Sequence, residues 1–231
     1  PACAPGTLPS PEQILTCVHK ALTPQLLELE SFVTICYARF DMQRNEAIIL
    51  NCGHPRPVHY NHIKKKCSTP GVPNMPLGIS EKVEFEQKLV PFQIGDFFFF
   101  YSDGVTEARN KEREMYGEKR LHELLQQNAG ICDPDELIED IRQKVVSFCG
   151  DESMADDFTC LTVRLQHSTA SPCLIHRDQD IPSHPRELAL IRQWLQDIWT
   201  ELTGDREESL PCMSLLMAAN EVLANVIKHA Y

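Results

Sequence analysis

Carboxylates at the ends of apolar runs are the residues of this chain best placed to do chemistry. In "DFFFFYSDGVTEARN", residues 96–110, four phenylalanines run into Ser102, Asp103 and Gly104, and Glu107 follows. In "MADDFTCLTVRL", Asp156 and Asp157 open a second apolar run. Strand ends are rigid platforms from which short carboxylates can converge. Hard divalent cations such as Mg²⁺ and Mn²⁺ take oxygen ligands in near-octahedral geometry, with water filling the remaining positions. A glycine beside the aspartate lets the backbone turn tightly and leaves room for solvent. "SDG" and "DD" are also ordinary turn sequences. Spacing alone leaves a turn and a metal site both open.

A second polar set lies near the end of the chain, in "MSLLMAANEVLANVIKHAY". Leu215, Leu216, Ala219, Val222, Leu223, Val226 and Ile227 form a core-facing helical stripe. Glu221, Asn225 and His229 recur every four residues on a neighbouring face. A Glu and an Asn so placed can polarise a water and bind Mg²⁺ through an amide oxygen. They can equally be the polar flank of an ordinary helix. The histidines have no ligand spacing. His54, before a proline at a strand end, reads as a packed turn residue, and His59, His62 and His122 read as surface or loop residues.

The elements that must position these groups follow from periodicity. Ser10 is an N-cap with Pro11 at the first helical position, and Ile14, Leu15, Val18 and Leu22 recur at helical spacing. "SFVTICYARFD" and "EAIILNCGHP", joined by the polar bend 42–45, read as an antiparallel hairpin. "KVEFEQKLV" and "DFFFFYSDG" are two further strands with "PFQIG" as the turn between them. The phenylalanine run is a strand buried on both faces. Gly117 to Asn128 and Pro134 to Phe148, the latter capped by Asp133, are helical. "DDFTCLTVRLQ" alternates as a last strand. Grouped strands and helices favour an α+β fold with helices on mostly antiparallel sheet. "HSTASP", residues 167–172, is a linker. A short strand, "CLIHRDQ", and two amphipathic helices, the second running from Leu210 to Tyr231, follow it.

Composition removes several function classes. A formal charge of −11 opposes a nucleic-acid partner, which demands a basic face. The one basic run, Lys64 to Lys66, reads as a solvated loop or turn. No stretch reaches the length of a membrane span, and no signal peptide is visible. The ten cysteines include no C-x-x-C pair, and Cys17, Cys36, Cys52 and Cys160 sit in apolar segments. Buried free thiols in a reducing, cytoplasmic compartment account for them.

Six segments occur in order: "FVTICYARFD", "LNCGHPRPVHY", "MPLGI", "IGDFFFFYSDGVTEARN", "MYGEKRL" and "MADDFTCLTVRL". Together they resemble the SpoIIE-type serine phosphatases, a bacterial branch of the PPM metal-dependent protein phosphatases. The resemblance implies a PPM-like β-sandwich flanked by helices, and two Mn²⁺ or Mg²⁺ ions. It assigns metal binding and catalysis to Asp103 and Asp156, with Asp157 as a supporting carboxylate. Glu107 and Asn110 take local structural roles, and Glu107 could orient Thr106 or a metal water. The implied reaction is hydrolysis of phosphoserine or phosphothreonine in a protein by a metal-activated water. The family's earlier Gly-Asp-Val segment, which bridges both metals, has no match in residues 1–30 and is expected upstream of Pro1. A metal site made by residues 1–231 alone is therefore expected to be partial.

"NEVLANVIKHAY", after "HPRELALIRQWL", resembles the N-box of the GHKL ATPase fold, in particular the RsbW-like anti-sigma serine kinases. That resemblance implies a role for Asn225 in holding Mg²⁺ against ATP phosphates and for Glu221 in assisting the catalytic water or hydroxyl. The family's glycine-rich boxes are expected beyond Tyr231, so ATP binding is expected of a longer protein. The resulting expectation is a phosphatase domain at 1–166, a linker at 167–172 and the opening of an α/β kinase sandwich at 173–231. Its partner is a phosphorylated anti-sigma-antagonist of the STAS type, and a sigma factor is a further candidate. Two rival readings are a non-catalytic docking module and a protein whose dominant activity is the kinase.

Overall fold

A computed structural model describes residues 9–128, 133–150 and 158–166. They form four layers, helix on sheet on sheet on helices, each layer burying the apolar face the one before leaves open.

The first layer is α1, Pro11–Glu28. Its start is a reciprocal capping box: the Gln13 amide donates to Ser10 Oγ (3.2 Å), and the Ser10 amide donates to Gln13 Oε1 (2.8 Å). The helix runs one and a half turns past the Leu22 at which its periodicity fades, carrying Pro24 in its interior. Leu26, in that added length, is buried beneath Gly78, where a side chain would meet Leu26 Cβ at 2.6 Å. Tertiary packing thus carries the helix through a residue that would end it in isolation.

The second layer is a four-stranded sheet. Strand β1 (Ile35–Asp41) pairs antiparallel with β2 (Glu46–Cys52), from Ile35 opposite Cys52 to Asp41 opposite Glu46. The other side of β2 holds β5 (Pro73–Asn74), parallel, and β6 (Lys88–Pro91), antiparallel. The third layer has the order β4-β3-β7-β8, all antiparallel. Its strands are β3 (Val58–Asn61), β4 (Lys66–Ser68), β7 (Phe97–Tyr101) and β8 (Cys160–Arg164). The outer layer is α3 (Gly117–Asn128) and α4 (Pro134–Cys149).

Alternation along the strands divides the core. Leu50 and Cys52 face α1, whereas Ala47 and Ile49 face the other sheet. On β7, Phe98 enters the space between the sheets, and Phe97, Phe99 and Tyr101 pack beneath α3 and α4. Phe97, Phe98 and Phe99 are all fully buried, so β7 is a two-sided core strand as its composition requires.

Several boundaries depart from the periodicity. The 82–90 segment pairs only from Lys88, and the first hairpin strand begins at Ile35 with Val33 in an isolated bridge to Leu77. The hairpin β3–β4 was not apparent in the sequence: Lys64 and Lys65 form its exposed turn, but Lys66 already belongs to β4. His59 corrects the surface reading. It is buried on β3, stacked 4.5 Å from Phe98, with Nε2 2.9 Å from Oδ2 of the fully buried Asp96. Asp96 also accepts from the amides of Gln93 (3.0 Å) and His62 (2.8 Å), tying β3 to the turn that launches β7. His62 itself is exposed, as expected of a loop residue.

Replacing Asp96 with alanine strands the buried His59 ring and removes the acceptor of the Gln93 and His62 amides at once. Chemical denaturation should show a loss of about 3–5 kcal/mol, the range for breaking one side of a buried pair; an unchanged midpoint would contradict the pinning role.

Candidate functional site

Strand β7 ends at Tyr101, and the chain turns at once into α2, Asp103–Thr106, a single helical turn. Ser102 is buried and clamps this end to β8. Its amide donates to the Thr159 carbonyl (3.0 Å), and its Oγ accepts from the Thr159 amide (3.0 Å). The pairing that puts Tyr101 opposite Cys160 thereby continues one residue past the ladder. Gly104 is buried within the helical turn, so its use here is compactness and not a left-handed backbone.

Asp103 is half-buried at the first position of α2. Its carbonyl accepts from the Glu107 amide (2.7 Å) and from Thr106 Oγ1 (3.3 Å), which closes the turn. Its carboxylate accepts no hydrogen bond from another described residue. An accessible oxygen donor with unused lone pairs, fixed to the end of a rigid strand, suits a hard cation. Among the described residues no three His, Cys, Asp or Glu side chains converge as a metal site. Asp156 and Asp157 lie outside the described residues, as do Glu221 and Asn225. Phe158, the first described residue of that segment, directly precedes Thr159, the residue that Ser102 holds.

His54 also comes to this place, although its spacing offered no ligand role. It hydrogen-bonds the Tyr101 backbone and feels the Asp103 charge, and its Nδ1 is 3.3 Å from Thr34 Oγ1. Burial lowers its pKa; the Asp103 charge and the Tyr101 carbonyl oppose that shift. The ring thus bridges the two sheets at the edge where Asp103 emerges. Its loop is built to hold it there: the His54 amide donates to Asn51 Oδ1 (3.1 Å), and Asn51 Nδ2 donates to the Pro55 carbonyl (3.3 Å). The only signal for this in sequence is the Asn-x-Gly-His turn, which tells of geometry and not of a ligand.

Asn110 and Glu114 exchange hydrogen bonds, the Glu114 amide to Asn110 Oδ1 (2.8 Å) and Asn110 Nδ2 to Glu114 Oε2 (3.2 Å). The structural role expected of Asn110 is what these bonds supply. Two described thiols are not poised as nucleophiles: burial pushes Cys52 up to about 12 and Cys67 up to about 11. His122 is not a surface residue in the sense expected. It lies on α3 with Nε2 buried and unpartnered. Burial lowers its pKa and so does Arg56, against the opposing pull of Glu118.

The four-layered arrangement with a carboxylate at the end of its central strand is an α+β fold of the PP2C type. Similar chain paths occur in the SiaA-PP2C domain of Pseudomonas aeruginosa, with a TM-score of 0.58 and 18% identity over 68% of this chain and 61% of that one. They occur also in the RsbU and RsbW domains of a Mycobacterium tuberculosis protein, with a TM-score of 0.54 and 20% identity over 94% and 58%. Residues 4–166 match the model of Stage II sporulation protein E (SpoIIE), and the chain belongs to that family. The phosphoserine phosphatase RsbU of Bacillus subtilis is 25% identical over 161 residues, 69% of this chain and 47% of RsbU. The chain thus spans about half the length of that relative, and 21% of a second one, Protein IcfG of Synechocystis. Among the described residues, no helix is long and apolar enough to cross a membrane.

A depressed imidazole makes stability depend on pH with a known sign. Below the ordinary value of 6.5 the unfolded chain takes up the His122 proton more readily than the folded one, so stability is lost as pH is lowered through that window. Urea midpoints at about pH 7.5 and about pH 5.5 should drop further for the parent chain than for His122→Gln. Equal drops would show that the ring titrates normally.

Proposed function

We propose that the protein is a metal-dependent phosphatase acting on a phosphoserine of a partner protein. One observation carries this reading: the Ser102–Thr159 clamp brings the start of β8 alongside Asp103. Asp156 and Asp157 precede Phe158 directly in the chain, and consecutive Cα atoms are about 3.8 Å apart. Their place in the sequence, directly before the segment that the clamp holds, supports a shared cation site with Asp103.

In this reading Asp103 and Asp156 are ligands to two Mn²⁺ or Mg²⁺ ions, and Asp157 supports them. Such ions supply Lewis acidity and lower the pKa of a bound water. The chain's own contribution is positional. Strand β7 fixes the Asp103 backbone. The bond broken is the phosphorus–oxygen bond of a monoester, which needs no cysteine nucleophile and no phospho-enzyme.

Membership of the SpoIIE family and the likeness to a phosphoserine phosphatase support the substrate class. They favour a phosphorylated anti-sigma-antagonist of the STAS type as partner, in partner-switching signalling inside the cytoplasm. For residues 173–231 we retain an RsbW-like GHKL segment in which Glu221 and Asn225 would serve ATP–Mg²⁺ in the whole protein, with a sigma factor as a further partner. These residues lie outside the described ones.

With the full-length protein and Mn²⁺, Asp103→Asn and Asp156→Asn should each lower phosphoserine-peptide hydrolysis at least about a hundredfold. Changes to residues that merely support a metal ligand already cost 10–100-fold. Folded variants that keep the parent rate would remove both residues from the site.

A further inference from the structure

Three lysines in succession stand at the other end of β7 from Asp103. Strands β3 and β4 form a hairpin with Asn61 opposite Lys66, and its turn carries Ile63, Lys64 and Lys65. All four residues from Ile63 to Lys66 are exposed, and Ile63, at 68%, is the most exposed large apolar side chain among the described residues. None of the three lysines makes an ion pair with another described residue, although the chain carries a formal charge of −11.

A basic turn is commonly a solvated one, but this turn is braced. The His62 amide donates to Oδ1 of the buried Asp96 (2.8 Å), and the Lys64 amide donates to Asn61 Oδ1 (2.8 Å). Lys65 takes the left-handed backbone, φ +49°, that closes the turn. Gly95 packs so close that a side chain on it would meet His62 Cγ at 2.9 Å. A backbone already held in this way has little freedom left to lose on association. The edge beside the turn is open as well. In the sheet order β4-β3-β7-β8, no strand among the described residues lies outside β4. Its backbone groups on that side are available to an added strand.

Charge and open edge together select the occupant. A second copy paired at so short an edge, three residues, brings two lysine runs together, and like charges there repel. A bilayer is a poor fit, because one isoleucine and three lysines fall short of the two signals that stable anchoring takes, and the rest of the chain is acidic. Nucleic acid meets the same opposing charge. An extended acidic segment satisfies both features: its main chain bonds the β4 edge, its carboxylates meet the lysines, and an apolar side chain covers Ile63. We propose that the β3–β4 turn and edge form a docking surface for an extended acidic segment of a partner protein. Strand β7 lies between this surface and Asp103, a span of about 17 Å for its five residues. The surface is separate from the candidate metal site and stands whether or not the phosphatase reading holds.

The probe is a fluorescein-labelled peptide of alternating glutamate and valine, with its glutamine–valine counterpart as control. Anisotropy is read as the full-length protein is added, at low and at high salt. The parent should bind the acidic peptide and not the neutral one, and salt should weaken the binding. Lys64→Glu/Lys65→Glu, both in the exposed turn, should weaken it about tenfold or more at low salt, and Ile63→Ser by less. Amide exchange of the parent should slow at residues 66–68 when peptide is added, a change that loose ion pairing with the lysines alone would not produce. Cosedimentation with phosphatidylserine vesicles tests the membrane: lysine-dependent vesicle binding without peptide binding would overturn the proposal in its favour. No peptide binding by the parent, equal binding by the charge-reversed protein, or unchanged exchange at 66–68 would overturn it too. Hydrolysis of a phosphoserine peptide with Mn²⁺ should keep the parent rate in every variant, so failure of the docking surface leaves the phosphatase reading untouched.

Discussion

Everything at the candidate site depends on the two-sided burial of β7. Phe98 fills the space between the sheets while Phe97, Phe99 and Tyr101 fill the layer beneath α3 and α4. A strand gripped on both faces cannot slide or tilt, because a one-residue slip would exchange every side chain between two differently shaped cores. The residue at its end inherits that immobility. Asp103 is therefore aimed by hydrophobic packing, and the polar bonds around Ser102 only finish the work.

The same logic explains why the buried polar groups gather at the ends of β7. Asp96 enters the strand with three donors arranged around its carboxylate, and Ser102 leaves it with a reciprocal pair to Thr159. Backbone groups at strand ends lose their ladder partners, and burying them without replacements is costly. Asp96 and Ser102 supply the replacements. One organises the inert end of the strand, and the other organises the end where chemistry is proposed.

Local patterns were legible in the sequence and long-range pairings were not. The Ser10 cap, the apolar stripes of α3 and α4 and the phenylalanine strand each depend on residues a few positions apart. Propensity and period report these directly. The buried state of His59 depends on Asp96, thirty-seven residues away, and no periodicity records it. Strands β4 and β5 are three and two residues long, too short to show a period, and β4 is disguised by the basic run before it. The position of Asp103 was legible because an apolar strand stops there. The roles of His54 and of the α2 turn were not, since they arise from how β2, β7 and the start of β1 meet.

The Ser102–Thr159 clamp joins positions fifty-seven residues apart, with α2, α3 and α4 between them. Contacts of such high sequence separation close slowly, because the loop entropy is spent before any contact offsets it. A chain emerging from the ribosome can fold α1 and the first sheet early. It holds an open edge at β7 until residue 159 arrives. Completion of the strand end is thus coupled to completion of the domain, and a half-made chain has no organised edge at Asp103.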